Sequence, residues 1–139
     1  MVEREGRGAD LPVPLRVKLA ALWAALMSLY IYNDYFQLYR PGTLARMAAG
    51  QLGPLGPATE TLLIIVSVLL AVPALMIALS VLLPAPVSRW LNVLLGVAYT
   101  AVEVLTVGKS HPAYQMVVAL EIATTLMIIW LAVRWRVPG

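Results

Sequence analysis

Between residues 59 and 83 the chain reads TETLLIIVSVLLAVPALMIALSVLL, and after Glu60 this run carries no charged side chain. A helix that is apolar on every face cannot be half-exposed to water. At this length it matches a bilayer core, which takes about 20 helical residues to cross. Three further stretches are also long enough to span, at residues 19–39, 87–107 and 112–134. Hydrocarbon offers the backbone no hydrogen-bond partner, so apolar runs that span it do so as helices. The predicted fold is therefore all-α: a polytopic four-transmembrane-helix bundle forming a single domain over residues 1–139, with a polar tail at 1–17. Its first partner is the lipid bilayer.

The breaks between spans carry turn chemistry: RPG after the first, PLGP before the second, PAP after it, and GKSHP between the last two. Pro112 suits the first turn of a helix, with Ser110 or His111 as its cap. Pro73 stands inside the second span and predicts a kink that lipid-embedded helices tolerate. Arg16 and Lys18 ahead of LAALWAALMSLYIY resemble the start of a signal peptide. The apolar run continues towards Tyr39 without a small-residue cleavage site, so it reads as a retained first helix. The TLARMAAGQL stretch is weakly amphipathic, and either lies along the interface or serves as a plain connector.

Hydrophobic residues make up 61% of the chain and charged ones 12%, which sets it apart from soluble domains. The absence of cysteine excludes disulfides, thiolate metal sites and cysteine nucleophiles, and a lone His111 disfavours a histidine metal or haem site. No cofactor or metal is expected. A net charge of +3 on such a chain sets topology and does not indicate nucleic acid. Lys and Arg divide seven (Arg4, Arg7, Arg16, Lys18, Arg89, Arg134, Arg136) against three (Arg40, Arg46, Lys109), which predicts both termini in the cytoplasm.

Beyond the tail there are four acids, Asp34, Glu60, Glu103 and Glu121, one in each span. At about 1.5 Å per residue, Asp34 lies roughly 8 to 9 Å below the outer end of its span, Glu103 roughly 6 to 8 Å and Glu121 roughly 13 Å. Glu60 opens its helix, where the helix dipole favours a carboxylate. The first span carries Trp23, Met27, Tyr30, Asp34 and Gln37 at steps of four and three. The third carries Asn92, Gly96, Tyr99, Glu103 and Thr106. The fourth carries Tyr114, Glu121 and Thr124 or Thr125. Such steps keep each set on one helical face. The second span has only Ser67 and Ser80 between its ends and is the candidate lipid-facing helix.

An ionised acid deep in a membrane helix costs on the order of 2.5 to 3.5 kcal/mol, a cost that falls if the acids share tyrosines or water. The pairs Tyr30/Asp34 and Tyr99/Glu103, each four apart, suit a phenol donating to a carboxylate. The expectation is an acidic, tyrosine-lined cavity in the outer half, built from Tyr30, Asn33, Asp34, Gln37, Tyr99, Glu103, Tyr114 and Glu121. Lys109 and His111 would gate it from the loop. The plainer alternative is that these polar groups only tie helices together, with Tyr35 and Tyr39 as interface anchors.

The run LWAALMSLYIYNDYFQLYRPG, with an acid near the end of the first helix and a Pro41-Gly42 exit, resembles a family of small bacterial four-helix membrane proteins of unknown function. The likeness covers roughly residues 17–136 and includes the positions of Glu103 and Glu121. It implies the four-span fold and a place in the bacterial inner membrane, and it transfers no mechanism. In outline the chain is also similar to small four-helix proteins of the DoxX type, by architecture alone.

Three functions suit this pattern. The cavity binds a small cationic or amphipathic ligand or relays protons. Alternatively, the chain is an accessory or assembly subunit of a homo-oligomer or larger membrane complex, its polar stripes meeting partner helices. As a third reading, a protonated and an ionised carboxyl act as acid and base on a lipid or isoprenoid.

Overall fold

A computed structural model of the chain describes residues 11–108 and 110–138. The first ten residues of the polar tail, and Lys109 of the expected gate, lie outside the described residues. In chain order the helices are α1 (Leu15–Gln37), the short α2 (Thr43–Ala48), α3 (Glu60–Leu82), α4 (Ala85–Val107) and α5 (Pro112–Arg134). A 3₁₀ turn at Gly53–Leu55 interrupts the connection between α2 and α3. The four long helices have 23 residues each. At 1.5 Å per residue each is about 35 Å long, and all four are apolar enough to cross a membrane.

The helix ends follow from local chemistry. Thr59 caps α3, its hydroxyl accepting from the Leu62 amide at 3.2 Å, and Glu60 stands in the first turn. Pro14 and Pro84 occupy the N-cap positions of α1 and α4, so α1 begins earlier than the apolar run alone implied and takes in Arg16 and Lys18. Charged residues at a helix end reach the interface without breaking the helix. Ser110 departs from its expected role: its hydroxyl donates to the Val107 carbonyl at 2.6 Å and closes α4. His111 takes the cap position of α5 with extended backbone and no side-chain bond. Gly42 turns the chain from α1 into α2 at a φ of +81°, a conformation that suits glycine.

The long helices form a ring in which α1 packs on α3 and α5, and α5 packs on α4. The fourth seam, between α3 and α4, is much the loosest. The core is built from Leu19, Trp23, Leu26, Met76, Tyr99, Ile128 and Ala132. Gly96 lets α4 approach α5, since a Cβ there would lie 2.7 Å from Ile129 Cγ1. Of the four long helices α3 is the least buried, with only Pro73, Met76 and Ser80 inside.

One end of the bundle, the terminal end, gathers the start of α1, the end of α5 and the α3–α4 turn. Helices leave their last carbonyls without helical partners, and arginines supply donors here. Arg16 donates to the carbonyls of Val81 and Leu83 at 3.2 and 2.9 Å. Arg89 donates to those of Ala132 and Val133, both at 3.2 Å. Arg16, Arg89 and Arg134 also lie over the rings of Trp135, Trp90 and Trp130. The opposite loop end carries an exposed aromatic cluster at the end of α1 and just past it, where Tyr35 and Tyr39 meet edge to face with their hydroxyls 2.9 Å apart.

Candidate functional site

Two polar clusters occupy the bundle interior. In the terminal half, the Trp23 indole donates to Asn92 Oδ1 at 2.7 Å. The Asn92 amide donates to the Ser88 carbonyl at 2.8 Å and stands 3.3 Å from Ser80 Oγ. Ser88 Oγ donates to the Ser80 carbonyl at 3.0 Å. Asn92, Ser80 and Ser88 are fully buried. Every polar side chain of the cluster therefore has a partner, and α1, α3 and α4 are tied at that level.

The loop half is arranged differently. Glu103 accepts from the Tyr30 hydroxyl at 2.5 Å on one oxygen and from Thr125 Oγ1 at 3.0 Å on the other. Thr125 in turn meets Thr100 Oγ1 at 2.8 Å. This places α1, α4 and α5 around one carboxylate. Tyr99 turns elsewhere, donating to the Leu69 carbonyl at 2.5 Å. That carbonyl stands four residues before Pro73, which has no N–H to offer it. Tyr99 thus satisfies the backbone acceptor that the proline leaves open, and its ring meets Trp23 edge-on at 6.1 Å.

Glu121 completes the contrast. It is 3% exposed, and its Oε1 is the one buried side-chain polar atom among the described residues with no hydrogen-bond partner. An unsatisfied buried acceptor costs about 1 to 3 kcal/mol, more when charged. The carboxyl lines a recess of about 150 Å³ reached by all four long helices: Tyr30, Asn33 and Asp34 from α1, Leu69 and Leu70 from α3, Tyr99, Val102, Glu103 and Thr106 from α4, and Tyr114 and Glu121 from α5. No three acids or histidines among the described residues are grouped so as to hold a metal ion.

Seven of the eight expected cavity residues meet around this recess. Gln37 does not, and lies at 3.5 Å from Arg40. His111 is exposed on the loop and does not line it. The expected phenol–carboxylate pairs within one helix do not form. Tyr30 crosses to Glu103 and leaves Asp34, while Tyr99 leaves Glu103 for Leu69. The face of α1 also differs by one residue from the expected stripe. Leu19, Trp23, Leu26 and Asn33 are buried, and Asp34 is exposed at the mouth of the recess. Burying an amide costs less than burying a carboxylate. On α5, Thr125 is buried and reaches both Glu103 and the Ile122 carbonyl, while Thr124 bonds only back to its own helix at Leu120. Nothing in the sequence pointed to Leu69, Leu70 and Val102 as walls, since apolar residues in a membrane helix carry no distinguishing signal.

No curated protein and no solved structure matches this chain. One family model does match, over residues 15–138, from the start of α1 past the end of α5. It therefore covers the tied terminal half and the open loop half alike. The chain belongs to that family, the Family of unknown function (DUF6326).

Proposed function

We propose that this multi-pass membrane protein binds a small ligand through a cationic, hydrogen-bond-donating head, held in the recess by Glu121. The observation that carries this reading is the buried Glu121 Oε1 without a partner, beside a carboxylate whose two oxygens are both occupied. An ammonium group supplies both the donor and the charge. Asp34 at the mouth adds a second negative charge on the approach. The seven-to-three division of basic residues supports an orientation with both termini in the cytoplasm and the recess in the outer half of a plasma membrane.

The competing readings are less well served. A proton relay must continue across the bilayer, yet the terminal half offers indole, amide and hydroxyl groups already committed to one another. Acid–base catalysis needs two carboxyls free to exchange protons, and Glu103 is held by Tyr30 and Thr125. A subunit that meets partner helices through its polar stripes needs those stripes outside, whereas Asn92, Glu103 and Glu121 face inward.

Ethylammonium tests the reading, titrated into the full-length chain in nanodiscs by calorimetry. A ligand of three heavy atoms gains at most about 1.5 kcal/mol per atom, which corresponds to a Kd near a millimolar. Saturable binding at that level is expected, weakened at least tenfold in Glu121→Gln. Equal binding by the variant overturns the role given to Glu121.

A further inference from the structure

The recess does not end within the bundle. Leu69, Leu70 and Val102 line it and are themselves about two-fifths exposed, at 40%, 37% and 38%. They face each other across the α3–α4 seam, the loosest of the four. In the terminal half that seam is shut. Ser88 and Asn92 of α4 reach Ser80 of α3, and only Leu83 and Pro84 join the two helices. Its last tie towards the loop end is Tyr99 on the Leu69 carbonyl, the acceptor freed by Pro73. Around that tie the exposed Leu69, Leu70 and Val102 give the recess an apolar lip on the flank of the bundle.

The size of the recess limits what occupies it. A volume of about 150 Å³ takes a head group and no more, since one water occupies about 30 Å³ of liquid and a cavity of this size holds a single benzene ring. Any chain attached to the head must remain outside, and the exposed Leu70 and Val102 offer it an apolar way out. An acid-lined chamber with an apolar side door suits a ligand that is apolar at one end and cationic at the other. Resting on the reading of Glu121 given above, we infer that the ligand class is a membrane-borne primary amine amphiphile, which enters sideways from the bilayer between α3 and α4. Its ammonium head lies at Glu121 and its chain along the Leu70–Val102 lip.

Octylammonium, butylammonium and ethylammonium, titrated against the full-length chain in phosphatidylcholine nanodiscs, provide the test. A ligand drawn from the bilayer is concentrated there by partition, about fourfold per methylene. Octylammonium is therefore expected to bind more than a hundredfold more tightly than butylammonium. Val102→Trp, placed at an exposed position on the lip, is expected to weaken octylammonium at least tenfold. Because the chain has no cysteine, the Val102→Cys variant gives a second measurement without a bulky replacement: octylammonium should slow its labelling by N-ethylmaleimide at least fivefold, and ethylammonium should not. If ethylammonium binds with Glu121 dependence but chain length and the lip variants have no effect, the sideways route is wrong and the recess reading stands. If none of the amines binds, both are wrong.

Discussion

The two halves of this bundle solve the same problem in opposite ways. Both place polar side chains in a membrane interior, where each unpaired group is expensive. In the terminal half Trp23, Asn92, Ser80 and Ser88 satisfy one another, and arginines close the helix ends. In the loop half Tyr30 and Thr125 satisfy Glu103, yet Glu121 is left with an open oxygen beside a recess. A polar cluster that only ties helices together has no reason to stop short of closure. Incomplete closure is therefore what separates a candidate site from structural glue, and polarity alone does not.

The largest break in this comparison comes from Asn92→Leu. It leaves the Trp23 N–H without an acceptor and removes the amide that holds Ser88 and Ser80. A loss of about 3 kcal/mol in unfolding free energy is expected, measured by steric-trap or detergent titration, with amine binding in the folded fraction unchanged. If Asn92→Leu abolishes binding while stability holds, the division into a tied half and an open half is wrong.

A smaller effect tests the tie between the halves. Tyr99→Phe should destabilise by about 1 kcal/mol by stranding the Leu69 carbonyl. In a Pro73→Ala background the helix supplies its own donor to that carbonyl, and the same substitution should become close to neutral. A double-mutant cycle reads the coupling directly. Equal costs in the two backgrounds would mean that Tyr99 acts through its packing on Trp23 and not through its hydroxyl. Smallest is Asp34→Asn. An exposed charge at the mouth contributes about 0.5 kcal/mol, so calorimetry should show a two- to threefold loss of amine affinity and unaltered stability.

The spans were legible because hydropathy over a bilayer length is a strong signal, and α5 runs over the predicted residues, Pro112–Arg134. The faces of α4 were legible as well: Asn92, Gly96, Tyr99 and Glu103 are all buried. Only Thr106, which lines the recess near the helix end, is exposed. On α1 the stripe drawn through Trp23, Tyr30 and Asp34 shares Trp23 and Tyr30 with the true inner face and misses at Asn33. Successive residues stand about 100° apart on a helix, and periodicity cannot choose between two adjacent polar side chains. The energy of burial does choose, because an amide can enter where a carboxylate cannot do so cheaply. Glu103 bonds Tyr30 and Thr125 from other helices, and those partnerships depend on helix rotation that local spacing does not encode. The partner of Tyr99 follows from arithmetic only after the fact. Pro73 frees the carbonyl four residues earlier, but which side chain reaches it is a property of the assembled bundle.

The central claim is that Glu121 is kept for a ligand and does not support the fold, and Glu121→Met puts it to the most direct test. Methionine fills a similar volume without a polar atom, and replacing a poorly satisfied buried polar group by an apolar one is commonly neutral or stabilising. The measurement is the unfolding free energy of the ligand-free variant beside that of Glu103→Met. The expected result is that Glu121→Met equals or exceeds the parent by about 1 kcal/mol, while Glu103→Met falls by about 2 kcal/mol through stranding the Tyr30 hydroxyl. A Glu121→Met protein as destabilised as Glu103→Met would contradict the claim and make Glu121 one more tie in the bundle.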